Sequence, residues 1–185
     1  MEKFALVIID VQNDYFPGGK MELFQSLEAS SKIKNVLNYF REKQLEIIHI
    51  QHIAIKPTAT FFIKNTEGVE IHANVTPHEH EKVVIKNYPN SFRNTELDAY
   101  LKEKGIKKLI ITGMMTHMCI DTTVRAAFDL GYDISVLEDC CATKDLTIHG
   151  KTTQAADAQN AFMAALHGTF ATVTTSANFL KECAS

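Results

Sequence analysis

Three residues of different chemistry occupy comparable places in the chain. Asp10 directly follows the apolar run from Phe4 to Ile9, Lys86 ends the run from Lys82, and Cys119 follows Lys108 to Thr112 after a short turn. A thiol, a carboxylate and an ammonium are the parts of a nucleophilic acyl transfer. The thiol attacks a carbonyl carbon, the carboxylate takes its proton and returns it to a leaving amine, and the ammonium steadies the charge. If Cys119 opens a helix, it feels the positive end of the helix dipole, and Lys86 nearby acts in the same direction. The expectation is therefore a thiol that ionises below the range of a free cysteine. The backbone N–H groups of Gly113-Met114-Met115-Thr116-His117-Met118, with that of Cys119, could line an oxyanion hole.

These positions gain meaning from the elements that carry them. Phe4 to Ile9 is almost wholly apolar, as a parallel strand covered on both faces must be. Ala29 to Lys43 places Ile33, Val36, Leu37 and Phe40 on one helical face. Further strands are expected at Leu45 to Ile50, Lys82 to Lys86, Lys108 to Thr112, Tyr132 to Leu137 and Ala171 to Thr174. Helices are expected at Leu97 to Lys104, Cys119 to Leu130, Thr152 to His167 and Ala177 to Cys183, with Gly105, Gly131 and Gly168 as stops. Strand–helix alternation implies an α/β fold: a three-layer α/β/α arrangement with a six-stranded, mainly parallel, doubly wound sheet. Such sheets bind ligands beyond the carboxyl ends of their strands, where all three residues lie. Residues 51–81, with Pro57, Gly68 and Pro77, show little periodicity and read as a long functional or mobile loop.

Each residue also has a bland explanation. A lone cysteine is usually a small packed hydrophobe, an aspartate after a strand is often a loop or cap residue, and a lysine ending a strand is normally a solvated charge. The convergence of three segments on one sheet edge is what favours chemistry.

The 185 residues fit one domain, taken as 1–185. Hydrophobic residues at 45% and charged residues at 22% place the chain among globular proteins rather than disordered ones. A net charge of -3 with no basic, aromatic-interleaved stripe excludes a nucleic-acid partner and a polybasic membrane anchor. The first apolar run is too short for a signal core, and no run reaches membrane-spanning length. Four cysteines do not make a disulfide framework, so a reduced, cytoplasmic setting is expected. Asp10-Val11-Gln12-Asn13-Asp14 contains no glycine-rich phosphate loop, and Gly18-Gly19 comes too late to form one, which sets a dinucleotide-binding protein aside.

The motifs together resemble the isochorismatase-like cysteine hydrolases, from Phe4 to about Phe179. Ala5 through Phe16 is similar to the family's opening strand and aspartate motif. Val83-Val84-Ile85-Lys86 with Asn90-Ser91-Phe92 is similar to its lysine motif, and Leu109 through Cys119 to its nucleophile turn. Thr122 through Ala127 with Gly131-Tyr132 continues the match, as does Glu138 through Thr143. The resemblance implies that Asp10 is the base, Lys86 the electrostatic partner and Cys119 the acyl-enzyme nucleophile. It implies a cis Met114–Met115 peptide, an oxyanion hole from the N–H groups of Met115 and Cys119, sheet order 3-2-1-4-5-6 and a homo-oligomer. Gln12, Phe16, His52, Phe92, Thr116 and His117 are the substrate-binding candidates, Phe16 and Phe92 being equally readable as core.

The match departs in one place. Nicotinamidases carry an aspartate and histidines after the second strand. Here the stretch is His49-Ile50-Gln51-His52-Ile53-Ala54, with no aspartate, and His49 and His52 point to opposite faces of a strand. His72, His78 and His80 lie in the long loop without flanking ligands. No metal or other cofactor is expected, which speaks against nicotinamide as substrate. The presence of Cys119 favours cleavage of a C–N bond in a small amide, lactam or ureide over vinyl-ether cleavage of the isochorismatase type, which needs no thiol. That second activity is the main alternative, and a non-catalytic binding module is a third. Cys140 and Cys141 are adjacent and poorly placed to bridge, and Cys183 is a tail residue.

Overall fold

The structure, a computed structural model, describes residues 3–184. Strand β1 (Phe4–Ile9) leads through a long turn to helix α1 (Ser26–Glu42), and β2 (Glu46–His52), β3 (Lys82–Lys86), α2 (Leu97–Lys104) and β4 (Lys108–Met114) follow. A π-helical turn (Thr116–Ile120) joins β4 to α3 (Asp121–Asp129), then come β5 (Asp133–Ala142) and a hairpin of β6 (Leu146–Ile148) and β7 (Lys151–Thr153). Helix α4 (Ala155–Leu166), β8 (Thr172–Thr174) and α5 (Ser176–Ala184) complete the order.

The six-stranded sheet runs β3-β2-β1-β4-β5-β8 with every pairing parallel. This is the expected 3-2-1-4-5-6 order, the sixth sheet strand being β8 because the hairpin intervenes. Alternate residues of β1 serve opposite faces. Ala5, Val7 and Ile9 pack with α2, α3 and α4 through Leu97, Leu101, Val124, Ala127, Met163 and Leu166. Leu6 and Ile8 pack with Ile33, Val36, Leu37 and Phe40 of α1 and Phe179 of α5. An unbroken apolar strand is the signature of burial on both sides.

Beyond shifts at element ends such as those of α1, β2, β4 and α3, the structure differs from the sequence reading in β5, at the start of α4 and in the loop after β2. Strand β5 runs past Leu137 to Ala142, through Glu138 and Asp139, with a shift of register between Ile111–Val136 and Gly113–Cys141. Asp139 is accommodated because it accepts the Ser176 N–H at 2.7 Å, at the start of α5, and pairs with Lys32 at 3.0 Å. Helix α4 begins at Ala155 rather than Thr152, since Lys151–Thr153 pairs with Leu146–Ile148 and Asp145 accepts the Ala155 N–H at 2.8 Å. The loop after β2 is pinned rather than free. Buried Asp14 accepts the N–H of Phe62 at 2.6 Å and of Lys20 at 3.2 Å. Gly68 lies so close that a Cβ there would sit 2.1 Å from Asp14 Oδ1.

Candidate active site

The sheet's carboxyl edge assembles the site. Asp10 leaves β1 with φ 53°, a left-handed conformation that aspartate tolerates better than bulkier residues. Its N–H donates to the Ile50 carbonyl of β2 at 3.0 Å, which holds it at the edge. Lys86, the last residue of β3, lies in register with His52 of β2. Gly113 lets β4 press against β1: its φ is +126°, and a Cβ would meet the Ile9 carbonyl oxygen at 2.0 Å. A cis Met114–Met115 peptide follows. The Met115 carbonyl then accepts the N–H of Met118 at 3.1 Å and of Ile120 at 3.2 Å, closing the π turn that carries Cys119.

Asp10, Lys86 and Cys119 come together below the surface. Lys86 Nζ lies 2.9 Å from Asp10 Oδ2, both side chains being 0% exposed. Cys119 is also buried, its Sγ within 4.8 Å of an Asp10 carboxylate oxygen. Lys86 Nζ further donates to the Pro89 carbonyl at 2.9 Å and lies 3.5 Å from Ser91 Oγ. The Ser91 hydroxyl is 2.9 Å from Thr123 Oγ1, which also accepts the Ser91 N–H at 3.1 Å. Among the described residues no backbone N–H or hydroxyl donates to the Asp10 carboxylate. Its lone pairs are left to Lys86 and Cys119.

The charges of this cluster correct one expectation. Burial pushes the Cys119 thiol up, the Asp10 carboxylate adds to this, and Lys86 only partly opposes it. The cysteine sits in the π turn ahead of α3 rather than opening that helix. The shift runs opposite to the one expected from a helix dipole, because burial and the adjacent carboxylate outweigh the nearby positive charge. Burial alone would lower the ionisation of Lys86, but Asp10 and Cys119 outweigh it and the ammonium is held above its ordinary range.

The other expected site residues divide. His52 stands at the cluster, its Nδ1 3.9 Å from Asp10 Oδ2, and burial, with Lys86 nearby, keeps the ring's pKa below its ordinary value despite the carboxylate. Gln12 is buried and hydrogen-bonded to backbone. Its amide donates to the carbonyls of His52 at 2.9 Å and Val69 at 2.7 Å and accepts the His52 N–H at 2.7 Å, so it is committed to holding the backbone of β2 and the loop. Phe16 is buried in the core and stacks on His72 at 3.6 Å. Phe92 packs against the core and stacks on Tyr132 at 6.0 Å. Thr116 is buried, its hydroxyl 2.5 Å from Gln159 Oε1 and 3.2 Å from the Ala142 carbonyl. His117 Nδ1 is 2.6 Å from Thr143 Oγ1. The hydroxyl of Thr123 and the carboxylate of Asp14 have positioning roles that the sequence reading did not assign. Their signal was only that each lies within a segment resembling the family's motifs.

The donor atoms of Asp10, His52 and Cys119 lie within 4.8 Å of one another, and so do those of His78, His80 and Glu81. In the first group the Lys86 ammonium already supplies the positive charge that a cation would bring. In the second, Glu81 is engaged by Arg41 at 2.7 and 2.9 Å, by His49 Nε2 at 2.9 Å and by the His78 N–H at 2.9 Å. His49 thus faces away from the cluster that His52 joins, as their odd spacing requires. Cys140 and Cys141 are free thiols serving opposite faces of β5.

The parallel sheet and its strand order define a three-layer α/β/α fold of one recognisable kind. The chain matches the isochorismatase domain over residues 4–178 and belongs to that family. It is 50% identical to YddQ, an uncharacterised isochorismatase family protein of Bacillus subtilis strain 168, over 96% of this chain and 98% of that one. The crystal structure of an isochorismatase-type protein from Oleispira antarctica superposes with a TM-score of 0.93 at 42% identity, covering 97% of each chain. More distant relatives are named as hydrolases. A streptothricin hydrolase of Streptomyces noursei is 28% identical over 77% of this chain and 50% of that one. A ureidoacrylate amidohydrolase, RutB, of Caulobacter vibrioides is 26% identical over 73% and 75%.

Proposed function

We propose that the chain hydrolyses a C–N bond of a small amide, lactam or ureide through a thioester on Cys119. The observation that supports this most is the buried 2.9 Å ion pair of Asp10 and Lys86, with the Cys119 sulfur within 4.8 Å of the carboxylate. In this reading Asp10 takes the Cys119 proton as sulfur bonds to the carbonyl carbon. The N–H groups of Met115 and Cys119 receive the oxyanion. The C–N bond then breaks, and Asp10 passes the proton to the departing nitrogen. Water, deprotonated by Asp10, attacks the thioester. The acid leaves, and the proton on Asp10 returns to sulfur. Lys86 keeps its charge throughout and holds Asp10 in position.

A thiol whose ionisation burial and Asp10 push up fits this scheme, because the attacking step then needs a base beside sulfur, and Asp10 is there. The names of the hydrolase relatives point to the same bond class. The test is product release from a panel of small amides, lactams, ureides and isochorismate, with Cys119→Ala beside the parent chain. Release of amine or ammonia that vanishes in Cys119→Ala is expected. Turnover that survives the substitution would overturn the thioester route.

A further inference from the structure

Beside the buried cluster is a cavity of about 540 Å³, a volume suited to one small organic molecule. It meets the cluster through His52, which lines it and stands 3.9 Å from Asp10. It meets it again through Asn87 to Pro89, the segment that follows Lys86 and whose Pro89 carbonyl accepts from the ammonium. Phe61, Phe62 and Tyr88 give it aromatic walls.

Its charge is one-sided. Lys56 and Arg93 line the cavity, and no aspartate or glutamate does. Yet the chain as a whole carries more acids than bases, 22 against 19. Among the described residues neither cation is paired with a carboxylate. Arg93 instead sits over the Tyr88 ring, its Cζ 3.8 Å from the ring centroid. A guanidinium held against an aromatic ring by cation–π attraction leaves N–H donors for a carboxylate, and no carboxylate among the described residues takes those of Arg93.

We propose that the substrate is an anion: an amide or ureide whose carbonyl reaches Cys119, with an aromatic or other flat apolar body and a carboxylate at the far end, held by Arg93 with Lys56 in support. Arg93 is then a specificity-determining residue. This substrate class rests on the hydrolase reading above, but the binding it predicts is measured without turnover.

The test uses two probes of the same shape, 4-carbamoylbenzoate and its methyl ester, titrated calorimetrically into the Cys119→Ala chain. The carboxylate is expected to bind about tenfold more tightly, the size of one charge-assisted contact at a partly solvated site. Adding Arg93→Ala brings its affinity to within about twofold of the ester's and leaves the ester unchanged, while Arg93→Lys restores part of the preference. Raising the salt concentration narrows the gap between the probes. Equal affinity of the two probes, a preference that survives Arg93→Ala together with Lys56→Ala, or binding of neither probe overturns the proposal. Product release with Cys119 intact separates the two readings. A carboxylate preference without Cys119-dependent release sinks the hydrolase reading and leaves the anion site standing. Cys119-dependent release without the preference sinks the anion site alone.

Discussion

Replacing Lys86 by methionine tests the electrostatic core of the site directly. The side chain keeps its length and apolar stem and loses only the ammonium. In the parent, that ammonium lies 2.9 Å from Asp10, with both side chains 0% exposed. Removing one partner of a fully buried pair leaves the other charged and desolvated, which costs about 3–5 kcal/mol. The hydrogen bond to Pro89, 2.9 Å long, is lost as well. A domain of ordinary stability survives that loss, so unfolding can be followed in urea by far-ultraviolet circular dichroism. Placed in an Asp10→Asn background, the same substitution has no carboxylate to strand, and its cost falls to about 1–2 kcal/mol, that of the Pro89 contact. The double-mutant cycle therefore yields a coupling of about 2 kcal/mol or more. A Lys86→Met cost under about 1 kcal/mol, or a coupling near zero, would refute the account of Asp10 and Lys86 as a mutually dependent pair.

Three further outcomes are expected. Cys119 alkylation by iodoacetamide, followed by peptide mass spectrometry, should keep accelerating above neutral pH, since burial and Asp10 hold the thiol up; a plateau already reached at neutral pH would contradict this. Glu81 is held down to about 2 against an ordinary value of 4.5, burial being outweighed by Arg41, the His78 N–H and His49. Its contribution to stability is therefore complete above pH 4.5 and is lost as the pH falls toward 2, and Glu81→Gln should flatten that acid limb of the melting-temperature profile. Gly113→Ala should destabilise the chain by about 3 kcal/mol or abolish soluble expression, because overpacking adds to an unfavourable φ. The added methyl would meet the Ile9 carbonyl at 2.0 Å, and a variant melting within a degree of the parent would show that β4 can shift.

The local code is plain in this chain. The apolar run of β1, the one-faced pattern of α1 and the glycine stops after α2 and α3 are written in residue types, because burial on two faces, burial on one face and a left-handed cap each demand particular side chains. Strand–helix alternation then implied the layered parallel sheet, and the motif positions placed Asp10, Lys86 and Cys119 at one edge of it. The ionisation of Cys119 was not legible, since it depends on which charges lie closest once three distant segments meet. The same holds for Gln12. It was a substrate-binding candidate beside the aspartate motif, and only the folded backbone shows its amide bonded to His52 and Val69. The extension of β5 through Glu138 and Asp139 escaped pattern reading because the group that satisfies Asp139 comes from α5, far along the chain. Residues 57–70 carry no periodic signal at all. Their course, and with it the cavity wall formed by Phe61 and Phe62, is decided by Asp14 and Gly68, whose fit appears only in three dimensions. Residue type thus determined the elements and the reacting groups. Contact between residues far apart in the chain determined their protonation, the roles of their neighbours and the shape of the space beside them, because charge, desolvation and packing act through distance in space rather than along the sequence.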